Sequence, residues 1–115
     1  MQYLLLLYAN EEGGASLPPE EMSMWMDKMA AYGAALEKAG AFISTGGLAP
    51  TAEARTISKP DRELQIHNGP YADTQEQLGG YYLIEAASMD AAVKWAAKCP
   101  AAIWGHVEIR EVSHS

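Results

Sequence analysis

The segment Tyr3-Leu4-Leu5-Leu6-Leu7-Tyr8 is apolar at odd and even positions alike. A strand that faces water on one side alternates apolar and polar residues, so an unbroken apolar run predicts a strand covered on both faces. That makes it a central strand, and it requires two covering layers. With 115 residues, the chain can bury one shared core without disulfides or metal staples. One domain over 1–115 is expected.

The rest of the pattern supplies only one of those layers. After the break at Asn10-Glu11-Glu12-Gly13-Gly14, the stretch Ser16-Leu17-Pro18-Pro19-Glu20-Glu21 offers a cap, early prolines and acidic first-turn residues. A helix follows with Met22, Trp25, Met26, Met29, Gly33 and Leu36 as its inward stripe, ended by Gly40. Ala41–Thr45 reads as a strand, and Gly46-Gly47-Leu48-Ala49-Pro50 as a loop on a functional rim. Arg55–Lys59 and Glu63–His67 read as a hairpin turning at Pro60-Asp61-Arg62. Asn68-Gly69-Pro70 is a turn signal, and a polar stretch from Asp73 to Gln77 precedes Gly79-Gly80 and the strand Tyr81–Glu85. Ser88 caps a second helix with Met89, Ala92, Val93, Ala96 and Cys99 turned inward, and Pro100 ends it. In the last strand Val107 and Ile109 alternate with His106, Glu108 and Arg110, so one face is apolar and the other charged.

This order predicts an α+β, ferredoxin-like βαββαβ fold with an inserted hairpin, an antiparallel sheet and two helices on one face. The uncovered face would carry apolar positions of the first strand beside charged ones of the last. A second copy of the chain, closing a dimeric α/β barrel, is the expected cover.

Charge and cysteine usage narrow the partners. Eight basic against fifteen acidic residues give a net charge of -7, which repels phosphate backbones and anionic lipid surfaces. Direct nucleic-acid binding is not expected. The longest apolar run is far short of the roughly 20 residues that cross a bilayer, so no membrane span is expected either. Cys99 is the single cysteine, no disulfide can form within the chain, and Met1 opens no signal-peptide pattern; a reducing cytoplasm fits.

The stretch His67-Asn68-Gly69-Pro70-Tyr71-Ala72-Asp73-Thr74-Gln75-Glu76-Gln77-Leu78-Gly79-Gly80-Tyr81-Tyr82 resembles the DGPFAETKEQLGGFY signature of the YCII-related family. The likeness runs on through Met89–Pro100 and Val107–Arg110 and includes Gly40–Pro50. It implies a ferredoxin-like subunit paired into a dimeric α/β barrel with a cleft between sheet and loops. Members of the wider family include lyase-like enzymes acting on small aromatic rings, and others linked to alternative sigma factors. The resemblance therefore implies either a small-molecule ligand or a protein partner in transcription regulation. Two positions depart from the family: the signature aspartate is Asn68, which cannot ionise, and the histidine of the first helix stands as Met29. The signature glutamate is shortened to Asp73.

His67, Asp73 and Glu76 are the candidate catalytic residues, since an imidazole beside carboxylates passes protons near neutral pH. Asn68, Tyr82, His106, Glu108 and Arg110 are the candidate ligand-binding residues, with the Asn68 amide orienting a ligand by donating and accepting hydrogen bonds. Each has a plainer explanation. A lone strand histidine is more often structural, Glu108 and Arg110 can serve a dimer salt bridge, and sheet tyrosines such as Tyr82 belong by default to a core. The glycine pairs lack the spacing of a phosphate cradle, and the methionines and histidines form no metal-ligand motif, so neither cofactor nor metal is expected. Two functions stay open: a non-catalytic small-molecule-binding or regulatory homodimer, and a cofactor-independent enzyme with acid–base chemistry on a small cyclic substrate.

Overall fold

A computed structural model describes residues 1–114. In chain order the elements are β1 (Gln2–Ala9), α1 (Glu11–Ala15), α2 (Pro19–Lys38), β2 (Phe42–Gly47), β3 (Arg55–Ser58), β4 (Gln65–Asn68), β5 (Gln77–Glu85), α3 (Met89–Lys98), α4 (Ala101–Trp104) and β6 (His106–Glu111). Four strands form one antiparallel sheet in the order β2-β5-β1-β6, while β3 and β4 pair only with each other. Without that inserted hairpin this is the ferredoxin-like order, with two split βαβ halves and α2 and α3 on one face. β1 is central, between β5 and β6, as its unbroken apolar run predicts.

The core lies between that sheet and the two long helices. Tyr3 and Leu5 of β1, Tyr82 and Ile84 of β5, Tyr32 and Leu36 of α2, and Ala92 and Ala96 of α3 are buried together, with Leu7, Val107 and Ile109 packed against them. The small residues on α3 let its backbone approach the sheet. Tyr32 ties the layers: its hydroxyl donates to the Trp95 carbonyl at 2.7 Å and its ring meets Tyr82 edge to face, with centroids 5.3 Å apart.

Several expectations are corrected here. Ser16 does not cap α2; it closes α1, a short helix whose N-cap is Asn10, and α2 begins behind Pro18 with no side-chain cap. The α2 stripe passes through Trp25, Met29, Tyr32 and Leu36, whereas Met22 and Met26 are exposed. A helix of 20 residues is about 30 Å long, and its first turns overhang the sheet instead of lying on it. Met89 and Val93 are likewise exposed, and Ala92, Ala96 and Cys99 form the buried side of α3. The glycine pairs are strand residues, not breaks. Gly79 is the extra residue of a bulge, since Leu7 is paired with Gly80 and Tyr8 with Leu78. Gly46 lies opposite Tyr81, and a Cβ there would come within 2.9 Å of that ring. Only hydrogen fits under the tyrosine.

Among the described residues no layer lies over the other sheet face. Leu4, Leu6 and Tyr8 of β1 alternate with the buried positions, and their register partners Leu83, Tyr81, Leu78, Arg110, Glu108 and His106 share that face. The apolar members are half-buried and the three β6 residues exposed. The expected mixed face is therefore present.

Leu36→Ala should lower unfolding free energy by about 2–5 kcal/mol, and Met26→Ala by no more than about 0.5 kcal/mol, in urea titrations. Alkaline pH supplies an independent check. Burial pushes the Tyr32 phenol well above its ordinary range, so the unfolded chain releases this proton first. Stability should fall as pH rises past about 10, and Tyr32→Phe should flatten that fall.

Candidate functional site

The residues with the most varied chemistry gather where β1 ends. Asn10 turns the chain there: its side-chain oxygen accepts from the Gly13 amide at 2.7 Å, and its Nδ2 donates to the Gln75 carbonyl at 3.0 Å. The Glu11 amide donates to Gln77 Oε1 at 2.9 Å. The Glu11 carboxylate accepts from both the amide and the hydroxyl of Thr51, at 2.9 and 2.8 Å. α1 thus clips the loop after β2 and the loop before β5 to one end of the sheet. Sequence reasoning took this segment only as a break. The Asn10 cap and the acidic pair Glu11-Glu12 were the signal for a helical turn.

Between these two loops lies a cleft of about 430 Å³ with Tyr8, Leu48, Pro50, Pro70 and Leu78 among its mostly apolar walls and Thr51, Thr74 and Gln77 as polar points. His106 Nδ1 is 2.6 Å from Glu76 Oε1. Neither residue lines the cleft, but His106 is the β6 partner of Tyr8 and Glu76 lies in sequence between Thr74 and Gln77, three residues that do. In the tautomer whose Nδ1–H donates to the Glu76 carboxylate, Nε2 is left as a hydrogen-bond acceptor. Farther along the same strand face, Arg110 Nη1 approaches Glu108 Oε2 at 3.4 Å. Both groups are exposed, so this pair adds little stability and leaves its charges available.

The candidates therefore divide. Glu76 and His106 come together, and Glu108 and Arg110 come together on the same open face. His67 and Asn68 are elsewhere: both are exposed on β4, paired across the hairpin with Thr56 and Arg55. Asp73 is exposed in the loop before β5. The expectation that Asp73 or Glu76 orients His67 is not met, because the histidine that Glu76 holds is His106. Tyr82 is also placed differently. It is 6% exposed in the core against Tyr32, and burial raises its phenol above the ordinary range. Gly69 adopts φ +131° in the Asn68-Gly69-Pro70 turn, which requires glycine. Its amide donates to the Ala54 carbonyl at 2.8 Å and fixes the root of the hairpin.

A second cleft, of about 370 Å³, opens on the helix side under the overhang of α2, with Leu17, Met22, Trp25, Met26, Met29 and Trp104 among its walls. Trp25 and Trp104 meet edge to face there, with centroids 4.7 Å apart. Asn10 and Glu21 are its polar points, and like the first cleft it is mostly apolar with no imidazole in its lining. Among the described residues no three His, Cys, Asp or Glu side chains converge on a possible metal position, and no helix is long and apolar enough to cross a membrane.

Comparison with known proteins agrees with this fold. The family model described as the YCII-related domain matches residues 1–114. An uncharacterised protein of Rhizobium meliloti is 34% identical over 96 residues, which span 84% of this chain and 77% of the relative. Among solved structures, 5-chloro-2-hydroxyhydroquinone dehydrochlorinase (TftG) from Burkholderia phenoliruptrix, in complex with 2,5-dihydroxybenzoquinone, superposes with a TM-score of 0.51 at 18% identity. That match covers 100% of this chain and 96% of the other. At this identity the likeness is one of fold.

Cys99 offers no nucleophile to either cleft. It is 1% exposed at the end of α3, and burial pushes its thiol above the ordinary range. The reactive species is the thiolate, so a disulfide reagent at neutral pH should label the native chain slowly and the urea-unfolded chain at the rate of a free thiol. Labelling at equal rates in both states would mean that the end of α3 opens readily.

Proposed function

The chain belongs to the YCII-related family, and we propose that within it this protein is a small-molecule-binding homodimer whose ligand site is the cleft beside the Glu76–His106 pair. The observation that carries this reading is a mostly apolar cavity whose wall residues Tyr8, Thr74 and Gln77 neighbour, in register or in sequence, a histidine and the glutamate that it meets on the uncovered sheet face. Such a site takes a small ring or chain through its apolar body and orients it through a few polar points. Thr51, Glu53, Thr74 and Gln77 can supply those points. Residues 1–115 act as one unit in this reading, and the free thiol of Cys99 fits a reducing compartment such as the cytoplasm.

Dimerisation belongs to the same proposal. Leu4, Leu6, Tyr81 and Leu83 make an apolar strip down the centre of an uncovered sheet, and the same strip on a second copy is self-complementary about a two-fold axis. Packing the two faces together would close the cleft from above and bring Glu108 and Arg110 to the rim of a shared interior. Stable homodimers of this kind commonly bury on the order of 2,000 Å² or more.

A second reading, cofactor-independent acid–base catalysis on a small cyclic substrate, is favoured by the same Glu76–His106 pair. A carboxylate-held imidazole can take a proton from carbon and return it to a leaving group or neighbouring atom. The dehydrochlorinase with a related fold supports it as analogy, since a common fold hosts many chemistries.

Sedimentation should give a species near twice the 12.4 kDa subunit mass at micromolar concentration. Leu6→Glu, which places a charge in the strip, should give a folded monomer. A wild-type monomer at that concentration would sink the dimer. For the site, Glu76→Gln and His106→Ala should leave the thermal midpoint within about 2 °C, as exposed pairs do, yet weaken binding of hydroxylated ring compounds about tenfold. Retention of full affinity in both variants would remove the pair from the site; loss of turnover with affinity retained would select the enzymatic reading.

A further inference from the structure

The hairpin β3–β4 has no core of its own. A lone two-stranded ribbon is marginal in water, and this one pairs with no other strand. Ile57 and Ile66 face each other across it and are 62% and 60% exposed. Strand alternation puts Arg55 and Asn68 on the same face as these isoleucines, and Thr56, Ser58, Gln65 and His67 on the other. The ribbon is thus amphipathic, with its apolar face open to water.

Its root is held where its blade is not. Glu11 grips Thr51, the Gly69 amide donates to Ala54, and the Thr56 hydroxyl donates to the Gly69 carbonyl at 2.8 Å. The arm therefore leaves the body in a fixed direction. The Cα radius of gyration is 16.0 Å, against about 13–14 Å for a compact chain of this length. The outline measures 47 × 40 × 18 Å, a thin slab with one open face.

Charge is divided in the same way. Residues 55–68 contain Arg55, Lys59 and Arg62 against Asp61 and Glu63, a net +1, which leaves -8 on the remainder of the chain whose total is -7. The part of the molecule that reaches outward carries a slight net positive charge, and the body of any second copy is acidic.

We infer that the β3–β4 arm docks on the body of a second copy of this chain, laying the Ile57–Ile66 face against it. The occupant is a second copy because the uncovered strip of the main sheet already calls for one. An arm of slight positive charge also meets no net repulsion from an acidic body, and exchange about a two-fold axis buries both arms at once. The inference rests on the homodimer proposed above and adds to it. The contact would reach beyond the sheet face.

Hydrogen exchange read by mass spectrometry tests this on the full chain, with sedimentation run on the same samples. The amides of 55–58 and 65–68 should exchange at least about tenfold more slowly in the dimer than in diluted or Leu6→Glu monomer, because only docking adds protection to a marginal ribbon. The double variant Ile57→Ser, Ile66→Ser, altered only at exposed positions, should keep the circular dichroism of the fold and weaken the dimer about tenfold. A dimer whose arm exchanges as fast as the monomer's would overturn the arm contact and leave the sheet-face dimer standing. Equal protection of the arm in monomer and dimer would place it on its own body and also overturn the inference. A chain that stays monomeric at every concentration would defeat the homodimer and the arm contact together.

Discussion

β1 must be covered on two sides, and the fold supplies one cover. Its odd positions, Tyr3, Leu5 and Leu7, meet α2 and α3 through Tyr32, Leu36, Ala92 and Ala96. Its even positions, Leu4, Leu6 and Tyr8, point the other way into a sheet face without helices. Burial of apolar area is the largest favourable term in folding, so a face left half-buried is stabilisation still available to an association. The neighbours on that face, His106, Glu108 and Arg110, acquire a position next to whatever covers it. The same strand that organises the core also decides where polar groups collect.

Sequence alone went far with what depends on period and composition. The α+β class, the central place of β1, the hairpin at Arg55 to Asn68, the Ser88 cap and the alternation of β6 all follow from apolar spacing and turn residues. These are local signals, and the tertiary structure agrees with them. The errors share a cause. Met22, Met26, Met89 and Val93 carry the right hydrophobicity at helical spacing, but which turns of a helix lie over the sheet depends on element length and offset, which spacing cannot express. Gly46 and Gly79 look like breaks, yet one makes room for the Tyr81 ring and the other forms a bulge. Their roles belong to the partner strand.

The candidate site was legible in its members more than in its pairing. Glu76, His106, Glu108 and Arg110 were all singled out, and the alternation of β6 put the last three on one face. The partner of Glu76 was not readable, because 30 residues separate it from His106 and the contact is made only when β6 lies beside Tyr8. Proximity in sequence favoured His67, nine positions away. The hairpin defeats that choice: β4 pairs with β3, away from the main sheet, and takes His67 with it.

This displacement changes what the two family departures imply. Asn68 and Met29 remove titratable groups from the positions where the family resemblance implies acid–base chemistry, and read alone they argue for a protein that only binds. Yet a proton-transferring group needs an imidazole, a carboxylate that orients it and a cavity next to the free nitrogen, wherever these lie in the chain. Glu76 and His106 meet the first two on the open sheet face, next in register to the cleft wall at Tyr8. Of the two departures, Met29 lines the helix-side cleft and Asn68 lines neither. Met29, with Met22, Met26 and Trp25, gives the helix-side cleft a mostly apolar wall that includes the Glu21 carboxylate but no imidazole. If this chain moves protons, the open sheet face is where it can do so, and what closes that face determines how dry, and so how effective, the Glu76–His106 pair becomes.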